Sequence, residues 1–155
     1  EMIMKLTEML HYIIDECQVD KVPIAREVQY IENYLGFQGM RYGEIANLRF
    51  THIVDDARAE IPPMILQPFI ENSFKHGDMT SNPAGKITIS LLVENKRLLF
   101  TVVNTKGKAN EQNFEREGLG VSNVERRLKL YYPGKHSLEM QRTEKEYLVT
   151  LKIEL

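Results

Sequence analysis

Apolar residues recur with helical spacing in the first third of the chain and alternate further on, and this change of period predicts a mixed α and β fold. Over residues 1–17, Ile3, Leu6, Leu10, Ile13 and Cys17 stand at alternating steps of three and four, the a/d pattern of a coiled-coil seam. Two readings fit this helix: it packs on its own domain, or it is the end of a longer dimerising helix. Residues 18–23 are a short polar break. Ile24, Val28, Ile31 and Leu35 then form one stripe on a helix over 24–40, ended by Arg41-Tyr42-Gly43. Residues 48–54 alternate as a strand, with Leu48, Phe50 and His52 on one side. Pro62-Pro63 predicts the opening of a third helix, because the missing N–H of proline has no partner in a first turn anyway. Leu66, Phe69, Ile70 and Ser73 supply its buried face, and Gly77 its stop. A polar loop over 78–85 follows. Residues 86–93 and 97–103 read as strands joined through Glu94-Asn95-Lys96 in a hairpin. Residues 104–117 lack periodicity and read as a long mobile loop, a length that is often functional. A fourth helix over 119–130 and a hairpin of 138–141 with 147–155 close the chain. The order predicts an α+β fold with a mostly antiparallel sheet covered on one face by helices, an open α/β sandwich.

Composition narrows the function more than the fold. The chain has 155 residues, 43% hydrophobic and 27% charged, ordinary for one globular domain. Its formal charge of −2 argues against a duplex-binding protein driven by phosphate neutralisation. Cys17 is the single cysteine, which excludes an internal disulfide and a Cys-cluster zinc site and suggests a reducing compartment. No apolar run reaches the ~18–20 residues that span a bilayer. The chain starts at Glu1 rather than Met, and the expectation is a piece of a longer protein.

Two segments carry candidate chemistry. In Ile61–Gly77, IPPMILQPFIENSFKHG, residues Asn72, Lys75 and His76 fall at i, i+3 and i+4 and share a helical face. An amide oxygen is a hard ligand suited to Mg²⁺, and Lys and His donate to phosphate oxygens. On spacing alone, a solvated polar face opposite a packed one explains the same pattern. In Gly118-Leu119-Gly120-Val121-Ser122-Asn123, the glycines precede a helix whose first N–H groups can hold an anion. A plain loop-to-helix turn is the competing reading.

LQPFIENSFKHG followed by EGLGVSNVERRLKLYYPGKH resembles the ATP-binding domain of LytS-like sensor histidine kinases, of the GHKL ATPase superfamily. Residues 61–77 match the family's N box, and residues 118–128 its second glycine box. VPIAREVQYIENYLGFQGMRYG is similar to the stretch that links the dimerisation helices to the ATP domain, so the resemblance covers nearly the whole chain. It implies a two-layer α/β sandwich of the GHKL (Bergerat) kind, with residues 1–20 the end of a dimerisation helix plus linker and 21–155 the catalytic domain. ATP and Mg²⁺ are the implied cofactors. Asn72 would ligand Mg²⁺, and Lys75 and His76 would face phosphates or ribose. Gly118, Leu119 and Gly120 would lie at the end of an ATP lid over residues 105–117, and the glycines would offer backbone N–H groups to phosphate. Asn123 would cap or brace the following helix, and Arg127 would approach the phosphates or anchor that helix.

Departures from the family pattern are visible. Many relatives carry Asp-Asn-Gly-x-Gly, whose Asp accepts from the adenine amino group; this chain has Asn104-Thr105-Lys106-Gly107. The amide oxygen of Asn104 still accepts, more weakly than a carboxylate. The family's phosphoacceptor motif, Pro-His-Phe-like, is absent, and His11 lies in a different context. Pro68 stands four residues before Asn72, where ATP-hydrolysing cousins place a general base, so intrinsic hydrolysis should be weak. The resemblance implies phosphoryl transfer to an upstream histidine, a homodimeric parent protein, a response regulator as partner and no nucleic acid. The parent would sit in the bacterial inner membrane through its missing N-terminal part, with this domain cytoplasmic. The competing classes are a degenerate GHKL docking module and a protein-serine kinase of the anti-sigma type.

Overall fold

The computed structural model describes residues 2–16, 18–42, 47–77, 85–106 and 119–155. Helix α1 (Met2–His11) runs into a π-helical turn (Tyr12–Glu16), and a short strand β1 (Val22–Pro23) leads into α2 (Ile24–Tyr42). Strands β2 (Leu48–Val54) and β3 (Glu60–Ile61) precede α3 (Gln67–His76). The hairpin β4 (Ile87–Glu94) and β5 (Arg97–Thr105), helix α4 (Leu119–Tyr131) and the hairpin β6 (His136–Arg142) and β7 (Glu146–Glu154) complete the fold.

The main sheet has five strands in the order β2-β4-β5-β7-β6. Only β2 and β4 pair in parallel; the other neighbours are antiparallel. Alternation sets its faces: Ile87, Ile89, Leu91 and Val93 of β4 and Leu98, Phe100 and Val102 of β5 point into the core. The helices cover that face with Phe69 and Ile70 of α3 and Val121, Val124 and Leu128 of α4. The architecture is the expected α+β two-layer sandwich. The small antiparallel pair of β1 with β3 escapes sequence reading because each strand is two residues long.

Several boundaries differ from expectation. The third helix starts at Gln67 rather than at Pro62-Pro63. Met64 holds a left-handed backbone (φ 57°), which no α-helix can include, and the proline that serves the first turn is Pro68. Strand β5 runs on through Asn104 and Thr105, which sequence reading assigned to the loop. Asn104 pairs with Ile87 and Tyr147, and Thr105 with Glu146. The remainder of the expected mobile lid, 107–117, and residues 78–84 of the polar loop lie outside the described residues.

The first helix packs on its own domain along one side. Met9 and Tyr12 are buried, with Tyr12 ring-to-ring against Tyr30 of α2 at 4.9 Å. The a/d stripe points the other way: Ile3 is 79% exposed, and Leu6, Leu10 and Ile13 are each more than 40% exposed.

The β4–β5 hairpin turns on Asn95 (φ 51°) and Lys96 (φ 60°), a two-residue loop with both centres left-handed. Asn tolerates that region; Lys does not. Lys96→Gly should therefore raise the unfolding free energy by about 0.5–1 kcal/mol in a denaturant titration, the left-handed penalty less the flexibility of glycine.

Candidate functional site

Helix α3 is gripped on its apolar side and open on the other. Phe69 packs against Phe100 of the sheet (6.3 Å between centroids), Phe74 meets Tyr34 of α2 edge-on (5.7 Å), and the Ser73 hydroxyl donates to Ile70 O at 2.7 Å. With that face committed, Asn72 and His76 stand half-buried and Lys75 exposed on the other side.

The end of α3 is tied to the end of β5. Gly77 donates its N–H to Ser73 O (2.8 Å) with an extended backbone. Glycine is demanded by space here, not by handedness: a Cβ would lie 2.4 Å from Ser73 O. The same Cβ position is 3.6 Å from Nδ2 of Asn104, and Gly77 forms an antiparallel bridge with Lys106. The C-terminal end of the helix that bears Asn72, Lys75 and His76 is thereby brought against Asn104, distant in sequence, at the end of β5.

Asn104 is 0% exposed. Its Nδ2 donates to Thr105 O at 3.1 Å, and its Oδ1 has no hydrogen-bond partner among the described residues. A buried acceptor left unpaired is costly and calls for an explanation.

The second sequence segment comes to the start of α3. Leu119 begins α4 and Gly120 follows in its first turn, where a Cβ would meet Pro68 Cβ at 3.3 Å. Asn123 is exposed on α4. Arg127 donates from Nη1 to Pro63 O at 2.7 Å and so anchors α4 to the lead-in of α3. Gly107 and Gly118 lie outside the described residues.

The electrostatics add two features. Burial first, then the charges of Lys75 and Arg142, hold the His76 imidazole below its ordinary value of 6.5, so it is neutral at pH 7. Burial pushes the Glu27 carboxyl of α2 up, opposed by hydrogen bonds from Tyr12 and the backbone of Met64 and Leu66 and by the charge of Arg127. Sequence reading missed both Arg142 and Glu27. Glu27 left a trace: it stands at i+3 from Ile24 and i−4 from Ile31, on the apolar stripe itself.

The His76 shift has a pH signature. A depressed histidine favours folding above its unfolded value, and that contribution is lost as pH falls through the folded value. Acidification below pH 6.5 should lower thermal stability, and His76→Gln should shrink the loss; melting curves across pH 7.5 to 5 check this.

Residues 1–46 match the family model for histidine kinase. The sensor histidine kinase YpdA of Escherichia coli is 26% identical over 140 residues, 85% of this chain and 25% of that protein. An uncharacterized sensor-like histidine kinase of Staphylococcus epidermidis is 34% identical over 105 residues, 68% of this chain and 20% of that protein. The chain thus spans a quarter or less of the length of these relatives. Among solved structures, the catalytic domain of histidine kinase ThkA superposes with a TM-score of 0.57 at 12% identity, covering 86% of this chain and 94% of that one. ThkA in complex with the response regulator protein TrrA gives 0.54 at 14%, covering 97% and 47%.

The sandwich, with α3 beside the sheet end, has the fold of histidine kinase catalytic domains. Together with the matched segments, this places the chain in the sensor histidine kinase family.

Proposed function

We propose that this chain is the ATP-binding catalytic domain of a two-component sensor histidine kinase, delivering the γ-phosphate of ATP to a histidine outside these residues. The observation that carries the reading is the orphaned, buried Oδ1 of Asn104 beside the end of the helix that bears Asn72, Lys75 and His76. An adenine amino group is the donor that this acceptor fits.

The donor set around Asn72 suits Mg²⁺ held jointly with a nucleotide. Among the described residues no three His, Cys, Asp or Glu side chains group to cage a metal, and Mg²⁺ ordinarily takes one or two protein oxygens with phosphate oxygens and water. Asn72 offers that oxygen from the open side of α3. Bound Mg²⁺ would supply charge neutralisation at the phosphates. Lys75 brings a mobile point charge to the same side. His76, neutral at pH 7, serves as a hydrogen-bonding group toward ribose or phosphate rather than as a cation. Gly120 brings backbone N–H groups of the first turn of α4, with Gly118 and Leu119 beside it in sequence. Asn123 braces α4. Arg127 acts through its hold on Pro63. Phosphoryl transfer rests on such positioning and charge stabilisation, with little covalent work for side chains. Pro68 leaves no general base four residues before Asn72, which favours transfer over hydrolysis.

The exposed stripe of Ile3, Leu6, Leu10 and Ile13 fits a second copy of the parent protein, with residues 1–20 the end of its dimerisation helix and 21–155 the catalytic domain. His11 faces Asp15 (3.2 Å) in the open and lacks the acceptor motif, so the acceptor lies elsewhere. A response regulator is the partner that takes the phosphoryl group onward; ThkA itself is found in complex with the response regulator protein TrrA. No helix among the described residues is long and apolar enough to cross a membrane, and attachment to the inner membrane belongs to other parts of the parent protein, with this domain on the cytoplasmic side.

Calorimetry with ATP and ADP tests the reading. Binding between micromolar and low-millimolar Kd, lost on chelating Mg²⁺, is expected. No binding at millimolar nucleotide would overturn it in favour of a docking module.

A further inference from the structure

We infer that Tyr12 and Glu27 are positioning residues that tie the location of the N-terminal helix to the first turn of α3, and through it to the nucleotide site. The Glu27 side chain is 1% exposed, on the stripe where α2 meets the core. Its Oε1 accepts from the hydroxyl of Tyr12, which arrives from the π-helical turn, and from the N–H of Met64 at 2.6 Å. The N–H of Leu66 also donates to this carboxyl group, and the Arg127 guanidinium acts on it from α4. Arg127 in turn donates to Pro63 O. One buried carboxyl therefore joins the end of the N-terminal helix, α2, the segment 63–66 and α4.

Three features single this node out. Leu66 is the N-cap of α3 and makes no side-chain cap bond, so the bonds just ahead of the helix come from Glu27 instead. Met64 keeps a left-handed backbone, an arrangement that persists only where surrounding bonds over-determine it. The Tyr12 hydroxyl comes from a π-turn, a rare departure from α geometry that re-aims side chains by one position and recurs at functional sites. The polar bonds of α1 itself and of the rest of the turn to α2 are at the surface: Glu8 with Asn33 and Glu16 with Arg26. Tyr12 alone reaches the buried node among the described residues of that segment.

The consequence is mechanical. Asn72 lies about 9 Å along a rigid helix from Leu66 at 1.5 Å per residue. A shift of the N-terminal helix that withdraws the Tyr12 hydroxyl leaves the carboxyl short of a donor and loosens its hold on Met64 and Leu66. The first turn of α3 then moves or frays, taking Pro68 from its contact with Gly120 and altering the placement of Asn72. The link to nucleotide rests on the proposed function; the link from Tyr12 to α3 does not.

The test uses the full chain with Tyr12→Phe, which keeps the ring against Tyr30 and removes only the hydroxyl. Amide hydrogen exchange followed residue by residue should show Met64 to Ile70 exchanging about tenfold faster, with the amides of β4–β5 and β6–β7 unchanged. Nucleotide affinity should weaken three- to tenfold. Glu27→Gln, which keeps an acceptor of the same shape, should give a smaller change of the same pattern. Unchanged exchange at 64–70, or a uniform acceleration across the sheet as expected of a merely structural contact, would overturn the inference. If the unsubstituted chain binds no nucleotide, the proposed function fails while the exchange pattern still decides the coupling.

Discussion

Asn72→Ala should abolish most Mg²⁺-dependent nucleotide binding without unfolding the domain. The packing of α3 is carried by Leu66, Phe69, Ile70 and Ser73, all buried, whereas Asn72 is half-buried to one side of that face. Truncating a half-buried polar side chain outside that buried set should cost about 1 kcal/mol or less. On the proposed reading the loss falls on the metal. Removing even an outer partner of a metal ligand lowers affinity about 10–100-fold, and removing a direct ligand should cost no less. Calorimetry at millimolar Mg²⁺ should show the Kd of ATP rising by on the order of 100-fold, with the residual Mg²⁺-free binding unchanged. Binding of Mg²⁺ and ATP within twofold of the unsubstituted chain would remove Asn72 from the metal.

Asn104→Leu should separate affinity from stability. The Oδ1 of Asn104 is buried with no partner, so the native fold already bears the cost of an unpaired acceptor. Leucine of similar shape removes that cost, gives up the Nδ2 bond to Thr105 O, and should leave stability within about 1 kcal/mol. Nucleotide binding should respond differently. If the orphaned oxygen accepts from adenine, its removal deletes one neutral hydrogen bond, about 1–1.5 kcal/mol, and weakens ATP roughly tenfold. The bond from Nδ2 to Thr105 pins the amide so that the oxygen is the atom left to meet a base, and the preference for ATP over GTP should collapse in the variant. Unaltered ATP affinity together with unaltered selectivity would place adenine elsewhere.

The helix that carries the candidate site, and its packed face, are legible in the sequence. The i, i+3, i+4 spacing of Asn72, Lys75 and His76 follows from helix geometry, and Leu66, Phe69, Ile70 and Ser73 marked the opposite face correctly. Asn104 was legible as a chemical type but not as a place. It was assigned to a loop because the run after Val103 turns polar, and its incorporation into β5 depends on Ile87 and Tyr147, which are far from it in sequence. Gly77 reads in sequence as a stop for the helix; its constraint in the fold is the closeness of Ser73 O, a distance that no sequence states.

What the sequence by itself determined is the order and amphipathic phase of the elements, because each depends on the local period of apolar residues and on turn residues such as Asn95. It also determined the residue types at the candidate site. Tertiary structure decided what joins them. The third helix waits until Gln67 because Met64 is held left-handed by the carboxyl of Glu27, a residue of another helix. The a/d stripe of α1 stays in the open because Met9 and Tyr12, one step around the helix, are the side chains that α2 accepts. Hydrogen bonds and packing between segments distant in the chain override local preference wherever they satisfy a buried polar group, and no local pattern records which distant group will do so.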